Sequence, residues 1–113
     1  MLPAVNRMRR SRDFASVVRD GARARGGAVI VHHKREHSAG PPLVGLVVGK
    51  TVGGSVQRHR VARRLRAQLA QRLAALPPGS ATVVRALPAA SEAASAELGA
   101  GLDYAIGRLA ARP

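Results

Sequence analysis

Between residues 58 and 66 the chain carries five arginines: Arg58, Arg60, Arg63, Arg64 and Arg66. No acidic residue lies between Ser55 and Leu76. Like charges three and four positions apart on a helix repel one another, so this run calls for an anion lying against it. A solvated charged face usually mixes signs, and this one does not. Guanidinium groups bond phosphate oxygens and base edges through a planar fork and stack on bases, which lysine does not do. The chemistry such a run supports is recognition of a nucleic-acid backbone. Lys50 and the turn Gly53-Gly54-Ser55 stand just before it. Free N–H groups at a helix start are a natural phosphate seat, and Lys50 brings charge to the same region. Lys50 and His59, which stands between Arg58 and Arg60 and can donate a hydrogen bond, join the five arginines as candidate RNA contacts.

Bond-making chemistry finds less support. His32, His33 and His37 cluster with Glu36, but alternation along a strand sends His32 and His33 to opposite faces. The other two fall in a loop, so no metal or acid–base site assembles there. Asp13, Asp20 and Asp103 are scattered, and no paired-carboxylate nuclease site is visible. Neither a catalytic residue nor a metal-ligand set is expected on this chain.

The elements that position the arginines follow from periodicity. At 100° per residue, Val61, Leu65, Leu69, Leu73 and Leu76 share one arc of about 120°, with Arg60, Arg63 and Arg64 across the opposite arc and Arg66 at the boundary. This predicts a basic helix from Ser55, its N-cap, to Leu76, closed by Pro77-Pro78-Gly79. Arg58 projects onto the apolar arc, where only its place in the first turn lets it escape. Upstream, Arg7, Arg9, Arg10 and Arg12 form a basic N-terminal segment. Ser11 caps a short helix there, with Phe14, Val17 and Val18 on one face and Gly21 at its end. Strands are predicted over Ala28 to His33, Leu43 to Val48 and Ala81 to Leu87. The second is apolar on both faces, which suggests a central position. Pro88 and Ser91 introduce a last helix with a stripe of Leu98, Leu102, Ile106 and Leu109. Gly99, Gly101 and Gly107 each weaken it by roughly 1 kcal/mol relative to alanine, so it must lean on the sheet. The order αββαβα describes an α+β sandwich in which residues 1–113 form a single RNA-binding domain.

Composition agrees. There are 19 Lys plus Arg against 6 Asp plus Glu, a formal net charge of +13. Self-repulsion of that size serves an anionic partner. Arginine outnumbers lysine, although GC-rich coding would itself favour Arg and Ala codons. Without cysteine there are no disulfides, which fits a reducing cytoplasm. The apolar runs are short, the N-terminus lacks a signal peptide's apolar stretch, and the basic helix lacks the aromatic face of a membrane-surface helix.

The segment Lys50-Thr51-Val52-Gly53-Gly54-Ser55-Val56-Gln57-Arg58-His59-Arg60-Val61-Ala62-Arg63-Arg64-Leu65-Arg66 resembles the signature of the bacterial ribonuclease P protein family, K-x-V-G-N-A-V-x-R-N-R-x-K-R-x-x-R. Asn6-Arg7 and Ser11-Arg12-Asp13-Phe14 resemble the family's N-R-L and S-x-D-F, and Val44 to Val48 looks like the strand leading into the motif. The resemblance covers nearly the whole chain. It departs at Gly54, His59 and Ala62, where the family has Asn, Asn and Lys; loss of the Lys removes one cation.

The resemblance implies an α+β fold with a left-handed βαβ crossover, against the general right-handed rule. It also implies a role as the protein subunit of the endonuclease that removes the 5′ leader of precursor tRNA, catalysis residing in an RNA subunit with bound Mg2+. The expected partners are that catalytic RNA and precursor tRNA, with neither DNA nor a membrane among them. By position, the arginines of the basic helix would dock the RNA. Phe14, Val18 and His32 would line a leader cleft, although Phe14 and Val18 equally suit core packing. With Phe14 and Tyr104 the only aromatics, an RNA-recognition motif is disfavoured, and leader binding would rely more on charge than on stacking. The alternative is a ribosomal or general RNA-binding protein with no processing role, which only the motif spacing separates from the favoured reading.

Overall fold

The computed structural model describes residues 2–111; Met1, Arg112 and Pro113 lie outside the described residues. Its elements are α1 (Ser11–Asp20), β1 (Ala22–Gly26), β2 (Val29–Lys34), β3 (Leu43–Val47), α2 (Ser55–Ala70), β4 (Ala81–Ala86) and α3 (Ser95–Ala110), with short 3-10 turns at Ala4–Asn6, Leu73–Ala75 and Pro88–Glu92. The strands form one sheet in the order β1-β2-β4-β3. β1 pairs antiparallel with β2, and β2 with β4, while β3 and β4 run parallel with α2 connecting them.

Strand alternation sorts the core into two layers. On β4, Ala81 and Val83 face α1, while Val84 and Ala86 face the other way toward α2 and α3. The larger layer collects Val29 and Val31 from the sheet, Val61, Leu65 and Leu69 from α2, and Leu98, Leu102 and Leu109 from α3. The smaller one collects Met8, Val17, Ala81 and Val83, with Phe14, Leu43 and Val47 packed against them. Helices therefore cover both faces of the sheet, α1 on one side and α2 with α3 on the other.

Four details differ from the sequence expectation. First, β1 adds a strand to the predicted order. Its Ala-Arg-Ala-Arg-Gly sequence alternates, but alanine is a poor strand former, so the pattern is easily passed over. A two-residue hairpin turn joins it to β2, with Gly27 at φ +56° in the first central position, as a type II′ turn requires.

Second, β3 lies at the edge of the sheet and not at its centre. It is apolar on both faces because α1 covers one and α2 the other. Part of its outer edge is closed by the N-terminal segment, where Met8 N–H donates to Val44 O at 2.8 Å.

Third, α2 ends at Ala70 and the chain reaches the buried Leu76 through the turn Leu73–Ala75. An ideal projection continues the leucine stripe across that break because it knows only spacing. Likewise α3 starts at Ser95, after the separate 3-10 turn that Pro88 opens.

Fourth, Ser11 and Ser55 are first helical residues and not caps; Arg10 and Gly54 hold the N-cap positions, without side-chain capping bonds.

Candidate nucleic-acid interface

Val61, Leu65 and Leu69 are fully buried and seat α2 on the sheet. That seating turns His59, Arg63 and Arg66 to solvent, with Arg58, Arg60 and Arg64 partly covered at the flanks. The three aspartates pair elsewhere: Asp20 with Arg19 and Lys34, Asp13 with His37, and Asp103 with Arg72. None of these ion pairs involves an arginine from Arg58 to Arg66.

The arginines are not equivalent. Arg64 Nη1 donates to Ala93 O at 2.8 Å, tying α2 to the turn before α3. Arg60 has a buried Nε without a hydrogen-bond partner. Arg58, on the apolar arc by projection, escapes sideways toward β3, where it lines a recess with Leu46, Val48 and Arg66. Lys50 is exposed in the turn that feeds the helix, and its carbonyl accepts from Gly53 N–H at 3.1 Å. Gly53 adopts φ +149°, a conformation glycine favours, and the following helix start carries no side-chain cap. Its first N–H groups are therefore open to an anion.

The opposite face of the sheet carries a second basic surface. The register aligns Arg23, His32, Val83 and Gly45 across the four strands, and then Arg25, Ile30, Arg85 and Val47. α1 packs over the first row, the Phe14 ring lying on Gly45 where a Cβ would clash with it. In the second row Arg25 and Arg85 are exposed, and Ile30 and Val47 are half-buried. Val18 of α1 is 38% exposed. Beside α1 this leaves a surface on which Arg25 and Arg85 alternate with Ile30 and Val47, the candidate groove.

Phe14 is half-buried and packs against the smaller core. His32 is buried beside the groove, its Nδ1 without a partner. Burial, then the charges of Arg85 and Arg23, push its pKa below the usual imidazole value. Arg23, Arg25 and Arg85 escaped the sequence reading. The period-two Ala-Arg alternation was the available signal, and only pairing with β2 puts these residues beside His32.

Of the N-terminal arginines, Arg9, Arg10 and Arg12 are exposed, whereas Arg7 is partly covered and donates through Nε to Leu2 O at 3.2 Å. Three more histidines are scattered. His33 faces the opposite side from His32 and its Nδ1 lies 2.8 Å from Thr82 Oγ1. His37 Nε2 lies 2.9 Å from Asp13 Oδ1. His59 is exposed on α2. Among the described residues, no group of three His, Asp or Glu side chains is placed to hold a metal ion, so the donors for a divalent cation are not assembled on this surface.

A sequence model described as Ribonuclease P matches residues 2–110. The chain belongs to the ribonuclease P protein family. The ribonuclease P protein component of Streptomyces bikiniensis is 50% identical over 117 residues, spanning 96% of this chain and 95% of that protein. That of Mycobacterium avium is 47% identical over 116 residues, spanning 98% and 97%. The fold agrees with solved ribonuclease P proteins. The Staphylococcus aureus protein superposes with a TM-score of 0.78 at 17% identity, over 94% of this chain and 95% of that one. The Thermotoga maritima protein gives 0.76 at 19%, over 95% and 97%. As in those ribonuclease P proteins, a single α+β domain carries a four-stranded sheet and three helices.

Proposed function

We propose that α2 docks this chain on the catalytic RNA of ribonuclease P, and that the groove between α1 and the sheet holds the 5′ leader of precursor tRNA. As a family member the chain is a subunit of the holoenzyme, an endoribonuclease that matures tRNA 5′ ends. The observation that carries the assignment of surfaces is their separation. One face of the sheet bears the arginines of α2, and the other bears the Arg25–Ile30–Arg85–Val47 row beside α1. A subunit that must touch two RNAs at once needs two such surfaces.

Within this reading Arg58, Arg60, Arg63, Arg66 and His59 contact the catalytic RNA. Lys50 and the open N–H groups at the start of α2 take a phosphate. Arg64 contributes its charge while bonded to Ala93. Phe14 and Val18 wall the leader groove with the buried His32 beside it, and Arg23, Arg25 and Arg85 attract its phosphates. Arg9, Arg10 and Arg12 extend the positive field near the start of α1. The enzyme's metal dependence belongs with the RNA: Mg2+ supplies the hydrolytic chemistry there, and this chain supplies charge and shape. The site of action is the cytoplasm, where precursor tRNA is made; no helix is long and apolar enough to cross a membrane, among the described residues.

Reconstitution tests the proposal. Adding the chain to a bacterial ribonuclease P RNA is expected to restore leader removal at low magnesium. Absence of rescue, together with equal binding to unrelated structured RNAs, would replace it by a general RNA-binding role.

A further inference from the structure

On the flank of α2 that looks toward β3, Leu46, Val48, Arg58, His59, Ala62 and Arg66 line an open recess of about 340 Å³. That is near the lower end of the range for small-molecule sites, about 300–1,000 Å³. Half-buried Leu46 and Val48 make an apolar floor, Arg58 and Arg66 make cationic walls, and the exposed His59 ring stands at the mouth. Strand alternation adds a polar edge. Leu43 N–H donates to Ser80 O on the β4 side at 3.0 Å, while Val44 O accepts from Met8 on the outer side. The N–H and C=O of Leu46, two residues on from Val44, therefore also point outward. Beyond Val44 no further strand pairs with that edge among the described residues.

The composition selects its occupant. A bare phosphate would use the two arginines and gain nothing from leucine and valine. An apolar peptide side chain would use the floor and leave two cations facing it. A nucleobase offers apolar faces for the floor, a π-surface for arginine and imidazole, polar edges for the Leu46 backbone, and a phosphate on either side for the walls. Ala62 keeps the space open, since any longer side chain there would project into it. It stands where the family signature has lysine.

We propose that this recess receives one unstacked base of the RNA that docks on α2. The inference rests on α2 being the RNA-docking face, and it adds a base-binding contact to a surface otherwise read as a backbone reader.

The test compares the wild-type chain with Ala62→Leu, and with Gln71→Leu as a control, each bound to full-length bacterial ribonuclease P RNA. Gln71 is exposed at the end of α2 and outside the recess. Ala62→Leu is expected to weaken binding roughly tenfold, the scale of one lost base contact. Gln71→Leu should change it by no more than about twofold. At saturating protein, a base-reactive probe should find one nucleotide shielded by the wild type and the control but reactive in the Ala62→Leu complex. Circular dichroism reports folding, and Ala62→Gln fills the same space with a helix-compatible polar chain should leucine disturb it. Unchanged affinity and shielding with Ala62 enlarged, or equal losses in both leucine variants, overturns the recess while leaving α2 docking intact. Unchanged affinity and salt dependence after removing Arg63 and Arg66 overturns the docking reading itself, and the recess with it.

Discussion

Arg64 looks equivalent to its neighbours in the sequence, yet its bond to the Ala93 carbonyl gives it a structural duty that the exposed Arg63 and Arg66 lack. Charge removal should separate the two roles. Arg63→Ala with Arg66→Ala is expected to weaken RNA binding and flatten its salt dependence by about 0.7–0.9 log units of slope per lost phosphate contact, with an unchanged melting temperature. Arg64→Ala should also cost stability, about 1 kcal/mol, because a covered carbonyl loses its donor. Binding across a salt series and thermal melts of the same variants check both; identical melts would remove the distinction.

A second residue-scale consequence concerns acid. Burial, then Arg35, lowers the His33 pKa from its ordinary 6.5. The unfolded chain therefore takes up the proton first as pH falls, so stability is complete above about 6.5 and declines below it toward the lowered folded value. His32 acts in the same direction. Melting curves between pH 7 and 5 should slope less steeply for His33→Gln than for the wild type. Parallel slopes would show that His33 does not contribute. The carboxylates Asp20 and Asp103, whose pKa values are lowered by their arginine partners, act at pH values below this window.

At the scale of elements, the three glycines of α3 turn out to be different objects. Gly101 packs backbone to backbone on Gly26 of β1, and a Cβ on either would overlap the other's carbonyl oxygen. Close approach of helix and strand is thus what these two glycines provide. Gly99 faces the side chains of Gln68 and Arg72, which belong to the Arg72–Asp103 link between α2 and α3. Gly107 meets nothing. Gly101→Ala is therefore expected to destabilise by about 1–3 kcal/mol through backbone displacement. Gly107→Ala should stabilise by roughly 1 kcal/mol through helix propensity. Denaturant titration of the pair decides it, and a shared sign would contradict the packing described.

For the whole molecule, the governing fact is a +13 charge distributed over both faces of one thin sheet. Because α2 and the α1 groove lie on opposite sides, damage to one should spare the other. Arg25→Ala with Arg85→Ala is expected to reduce the preference of the holoenzyme for leader-bearing over mature tRNA, while affinity for the catalytic RNA stays within about threefold. Arg63→Ala with Arg66→Ala should do the reverse. Measuring both affinities on both double variants tests this, and parallel losses would argue for a single continuous interface.

Local information in the chain was enough for the basic helix, its leucine seat from Val61 to Leu69, the split of His32 and His33 across a strand, and the family. Each depends on residue types at short spacing, which sequence displays directly. The edge position of β3, the strand status of Ala22–Gly26, the end of α2 at Ala70 and the anchoring of Arg64 depend on which distant segments lie alongside. Pairing with β2 makes a strand of an alanine-arginine repeat, and α1 makes an edge strand apolar on both faces. The arginine run was thus legible from sequence alone as a basic helix with one face seated on the sheet and the other turned outward. Which of its guanidiniums are held by the protein, and where a recess opens between them and β3, only the tertiary structure decided, because both are set by contacts across tens of residues.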